Sequence, residues 1–190
     1  MAITTLDGII AGMQPPQDFI KVGGTMEAAG VMHSLFYTTG LPGAAAAPSP
    51  GINGAALTTY AGQIPFANPV SGNTYLTSYS GAATVIGTLL LVDRLWHNSG
   101  VAVATTTAQA ITSPTWPARD NNGATSGAGV LVGIEASGAT TNVGAVSNTT
   151  LNYTNSAGTN TRTGTLTWPA TAAAGTFVPF ALAAGDAGVR

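Results

Sequence analysis

The residues best suited to chemistry lie close together, in Asp93-Arg-Leu-Trp-His97 and the nearby Ser99. On a strand, successive side chains alternate, so Asp93 and His97 would share one face with Leu95 between them. A carboxylate orienting an imidazole beside a hydroxyl is the arrangement of a hydrolase. No serine sits in a Gly-x-Ser-x-Gly elbow, however. An adjacent Asp93-Arg94 pair at the end of an apolar run is better read as capping, or as pairing with a neighbouring loop. The set is expected to serve packing, and the chain is not expected to be an enzyme.

Other chemistries have less material. His33 and His97 are the only histidines, and no His-x-x-x-His or EF-hand spacing occurs. Asp120-Asn-Asn122 can offer oxygens to a calcium ion, but with Gly123 following it reads first as a hairpin turn. Gly23-Gly24 and Gly127-Ala-Gly129 read as turns, since neither follows a strand and opens a helix as a phosphate loop does. Trp96, Trp116 and Trp168 would make a sugar-binding platform if exposed together; each adjoins an apolar run or a proline corner, which favours core or interface anchoring. Asn148-Thr-Thr and Asn152-Tyr-Thr match glycosylation sequons and are read as strand side-chain pairs. Cysteine is absent, which removes disulfides, thiolate nucleophiles and thiolate metal sites. No cofactor, metal or small-molecule substrate is expected.

The elements that must carry these residues fall into an arm and a body. Thr5 is placed to N-cap a short helix through Leu6, Ile9, Ile10 and Met13, with Asp7 in its first turn and Pro15-Pro16 ending it. After Phe19, Ile20 and the Gly23-Gly24 break, Thr25 can cap a second helix carrying Met26, Ala29, Met32, His33 and Phe36; a strand over residues 31–37 is the rival. Leu41-Pro-Gly followed by four alanines and Pro-Ser-Pro-Gly51 reads as an extended connector. Residues 1–50 are thus expected to form an N-terminal arm, extended and partly helical, and residues 51–190 a body.

From residue 73 onward, short apolar or alternating runs are broken by turn residues, the rhythm of an antiparallel β-sandwich, jelly-roll in kind. The clearest run, Thr84-Val-Ile-Gly-Thr-Leu-Leu-Leu-Val-Asp-Arg-Leu-Trp96, predicts a central strand buried on both faces. Further strands are expected over 101–111, 129–135, 143–153, 161–168 and 176–182. The end at Arg190, in turn chemistry without a closing strand, reads as the cut end of a longer chain.

Composition sets the function class. Charged residues are 6% of the 190, hydrophobic residues 45%, and the net charge is −2. An average soluble domain carries roughly 25% charged residues. So little charge predicts a surface covered by neighbours. The absence of a basic patch argues against direct nucleic-acid binding. No apolar run approaches the ~20 residues of a membrane span, and the N-terminus lacks a secretory signal, so synthesis in a cytoplasm is expected.

Arg94-Leu-Trp-His-Asn-Ser-Gly100, Trp116-Pro-Ala-Arg-Asp120, Gly129-Val-Leu-Val-Gly-Ile-Glu135, Tyr153-Thr-Asn-Ser-Ala-Gly158 and Phe177-Val-Pro-Phe-Ala-Leu-Ala-Ala-Gly185, together with the opening Thr4-Thr-Leu-Asp-Gly-Ile-Ile-Ala-Gly-Met-Gln-Pro-Pro16, resemble virion structural proteins of tailed bacteriophages and prophages. The resemblance spans most of the chain and carries over no functional residue. It implies a virion component of the capsid decoration or cement type on the capsid exterior, with the major capsid protein and other copies of itself as partners. The expected assembly contacts are Leu6, Ile9, Ile10, Met13, Phe19, Ile20, Met26, Met32, Leu35 and Phe36. The alternative is a tail or fibre module adhering to host surface glycans.

Overall fold

The computed structural model describes residues 3–23, 30–48, 51–66, 74–103 and 105–190. The expected cap at Thr25 and contact at Met26 lie outside them. The described chain is mainly β, in several small antiparallel sheets with little helix. In chain order the elements are α1 (Leu6–Gly12), β1 (Ile20–Lys21), β2 (Met32–His33), a 3-10 turn (Leu35–Tyr37), β3 (Gly40–Leu41), β4 (Ala55–Ala56), β5 (Trp96–His97), β6 (Gly133–Glu135), β7 (Thr140–Thr141), β8 (Val146–Tyr153), β9 (Arg162–Trp168), β10 (Thr171–Ala172) and β11 (Thr176–Pro179).

Helix α1 forms as its sequence dictates. The Thr5 side chain accepts a hydrogen bond from the Gly8 amide, and the helix stops at Met13, just before Pro15. None of its residues is buried. The second helix is not present over the described residues 30–36. Met32–His33 are instead a strand, and the Ser34 side chain caps the 3-10 turn by accepting from the Phe36 amide. Gly30 takes a left-handed φ of 79°, which a helix does not accommodate, and Met32–His33 pair with Phe177 and Thr176 instead.

The longest pairing is the β8–β9 hairpin, with Thr150 opposite Thr165 and Tyr153 opposite Arg162. Its register shifts between Val146 and Thr149, where Asn148 takes a left-handed φ of 59°, a conformation that asparagine tolerates. In β9 every second residue from Gly164 to Trp168 is buried and the threonines between them face out. Trp168 is 1% exposed and, with Leu166, Ala136, Ala172 and Phe180, makes the core cluster. Strand β11 runs between β2 and β6, so residues 32–33 pair with 176–177 across most of the sequence.

Further expectations are corrected, and the described residues of 101–111 form no strand. The run 84–96 is not a central strand: only Trp96–His97 are paired, with Ala55–Ala56, and residues 85–92 are exposed on both sides. The buried cluster is supplied by Ala136, Leu166, Trp168, Ala172 and Phe180, and the run has no member in it. Nor do strands flank Asn122-Gly123. That turn belongs to a loop closed on Asp120, with the Gly123 amide donating to the Asp120 carbonyl at 2.8 Å. The end of the chain is tied in: Val189 is buried and bridged to Asn155, and the Arg190 amide donates to the Thr154 carbonyl.

Candidate assembly surface

The structure does not bring the Asp93–His97–Ser99 set together. Asp93 is taken by Arg119, whose Nε and Nη2 donate to its carboxylate at 2.8 and 3.1 Å while Nη2 also reaches the Leu57 carbonyl. His97 is 6% exposed, with its Nδ1 unpartnered and its ring edge-on to Tyr60 at 4.6 Å. Burial, then the nearby Arg94 guanidinium, pushes its pKa below the usual imidazole value. The enclosed imidazole lacks the carboxylate partner that orients the base of a triad.

Arg94 makes the strongest contact in this region. Its guanidinium grips Glu135 with both nitrogens, at 2.5 and 2.9 Å, and lies over the Phe36 ring at 4.3 Å. Phe36 stacks on Tyr60 at 5.7 Å and meets Tyr37 edge-on at 5.4 Å. Burial, reinforced by the Glu135 carboxylate, pushes the Tyr37 hydroxyl up to about 12. Four distant stretches around residues 36, 60, 94 and 135 thereby meet at one aromatic and ionic clamp.

The other charges are similarly committed. The Asp120 carboxylate accepts from the amides of Asn122, Ala124, Gly127 and Ala128 and from the Ser126 hydroxyl, at 2.7–3.3 Å. Those donors, Ala124 foremost, hold its pKa far below the usual carboxylate range. Both of its oxygens thus accept from protein donors within the loop. Among the described residues no three His, Asp or Glu side chains converge on a metal-sized site. Asp186 accepts from Arg162, Tyr153 and Asn155 at 2.6–2.9 Å, and these hold it down to about 2. The Lys21 ammonium donates to the Thr38 and Gly43 carbonyls. Of the described charged side chains, Asp7, Asp18 and Arg190 remain outside such contacts.

The exterior is correspondingly apolar. More large apolar side chains are exposed than buried among the described residues. Of the expected assembly contacts, Leu6, Ile9, Ile10, Met13, Ile20 and Met32 are exposed; Phe19 is half-buried and stacks on Tyr79 at 6.0 Å; Leu35 and Phe36 are half-buried, Phe36 within the clamp. A second patch is one that sequence reasoning assigned to the core: Val85, Ile86, Leu89, Leu90, Leu91 and Val92, with Val85 77% and Ile86 103% exposed. A both-faces-apolar run has the same signature whether its neighbours come from its own chain or from another.

The tryptophans divide. Trp168 is core, donating from Nε1 to the Thr140 hydroxyl at 3.3 Å, while Trp96 and Trp116 lie 6.4 Å apart, both half-buried. Beside Trp116 is a cavity of about 240 Å³ lined by Ser113, Thr115, Thr125 and Arg190. A second cavity, about 270 Å³ and mostly apolar, lies by His33 and Thr176. No family model, curated protein or solved structure matches the chain. Among the described residues no helix is long and apolar enough to cross a membrane.

Proposed function

We propose that this chain is a structural subunit of a tailed-bacteriophage virion, of the capsid decoration or cement type, held by contacts with the major capsid protein and with other copies of itself. The supporting observation is the pairing of a largely self-neutralised charge set with exposed apolar patches on α1 and over 85–92. Each such side chain contributes about 1.5–3 kcal/mol when fully covered. Several anchors per copy, repeated over a shell, brace it without any catalytic step. The body reads as an antiparallel sandwich, jelly-roll in kind, made after synthesis in the host cytoplasm and docked on the capsid exterior.

Copy number per particle and particle co-sedimentation test this reading. Hundreds of copies, with binding weakened on removing residues 1–40, are expected. A dozen or fewer copies would place the chain at a tail or portal, and full occupancy by the shortened chain would remove the arm's role.

The second reading, a tail or fibre module adhering to surface glycans, is favoured by the Trp96–Trp116 pair beside the polar cavity that includes Arg190. Tryptophan quenching by acidic oligosaccharides, abolished in Trp116→Ala, would support it.

A further inference from the structure

The run over residues 84–92 has the attributes of a strand except a partner. It contains no charge and no proline, and its valines, isoleucine and leucines suit a pleated surface. Yet it forms no regular element, and none of the amides or carbonyls of residues 84–93 enters a backbone–backbone hydrogen bond. Both of its faces are open: Ile86, Leu90 and Val92 on one, Val85, Leu89 and Leu91 on the other. Its C-terminal end is fixed, because Asp93 is held by Arg119, Arg94 by Glu135, Leu95 is buried and Trp96–His97 pair with β4.

We infer that residues 84–92 form an intermolecular strand, pairing antiparallel with the same run of a second copy. The inference rests on the reading of the chain as an assembly subunit and names that subunit's partner. A two-fold axis at Thr88 sets Leu90 opposite Ile86 and Leu91 opposite Val85, so large apolar side chains meet across the pair. An uncharged run does not repel its own copy, and it lacks the lysines and prolines with which exposed strands avoid such pairing. Its six large apolar side chains are 41–103% exposed, so a second copy of the run meets apolar surface along its length. Pairing also gives alternate residues of the run backbone hydrogen-bond partners.

The absence of cysteine allows one nitroxide per chain, through Thr88→Cys. Residues facing each other across an antiparallel pair lie about 4.5–5.5 Å apart between Cα atoms. The expected result is dipolar broadening that grows with protein concentration and disappears on mixing with excess unlabelled chain. Leu90→Asp, in an exposed position, should lose the oligomer in sedimentation while the near-ultraviolet signal of the Trp168 core is unchanged. Oligomers with a sharp label spectrum, or an undiminished oligomer in Leu90→Asp, would overturn the pairing and leave the subunit reading intact. A chain monomeric at every concentration also overturns the pairing. If that monomer still co-sediments with particles, the subunit reading survives; if it does not, both fall.

Discussion

Replacing Glu135 by leucine should destabilise the chain by about 3 kcal/mol, because it strands a guanidinium that the fold holds partly away from water. Arg94 and Glu135 side chains are 26% and 10% exposed and share two charge-assisted hydrogen bonds. Breaking a fully buried pair by removing one partner costs about 3–5 kcal/mol. Arg94's partial exposure takes the lower end, and its contact with Phe36 survives the change. For a chain of this size each 1 kcal/mol is about 2–4 °C in Tm, so the expected fall is about 6–12 °C. Replacing both partners, with Arg94→Met and Glu135→Leu, should recover to within about 1 kcal/mol of the original, since an ion pair is often matched by apolar residues of similar volume. Urea unfolding of the four proteins gives the coupling energy directly, expected to be at least about 2 kcal/mol because Arg94→Met, which strands the Glu135 carboxylate, carries a cost of its own. A coupling below about 0.5 kcal/mol would refute the clamp as a joint between the stretches at 36, 94 and 135.

Three further outcomes follow from other sites. Asp186, held down to about 2 by Arg162 and its other donors, favours the fold fully above about pH 4, and that contribution is lost as pH falls toward 2; Asp186→Asn should lower Tm at neutral pH and flatten its acid limb. Tyr37, pushed up to about 12 by burial and then by Glu135, favours the fold fully below about pH 10 and less as pH rises through 12; Tyr37→Phe should remove that alkaline loss in a Tm-versus-pH series. Gly127 has φ +82°, and a Cβ there would run into the Val189 carbonyl; Gly127→Ala should cost at least about 2 kcal/mol in chemical unfolding.

What was legible in the sequence was what local chemistry decides. Thr5 and Pro15 bracket α1 because a cap and a breaker act over a few residues. The alternation Gly164, Leu166, Trp168 against three threonines gives β9 its buried face wherever the strand is placed. What was not legible depended on partners distant in the chain. Nothing around Met32 signals that it will meet Phe177, and nothing around Arg94 signals Glu135. Asn122-Gly123 looked like a hairpin because the pair favours positive φ, but the carboxylate two residues earlier organises the loop instead. The hydrophobicity of 84–92 was plain, while its exposure was not, because apolar content records a need for cover and not its source.

The commitment of most charged groups to contacts within the chain leaves temperature as the natural control on association. A junction made through residues 84–92 has no ions to screen, so sodium chloride should affect it little, whereas sulfate should strengthen it. Its driving force near 25 °C is the release of water from apolar surface, with a negative heat-capacity change on joining. Subunits joined this way hold more firmly on warming within the range where the fold survives, and they loosen in the cold.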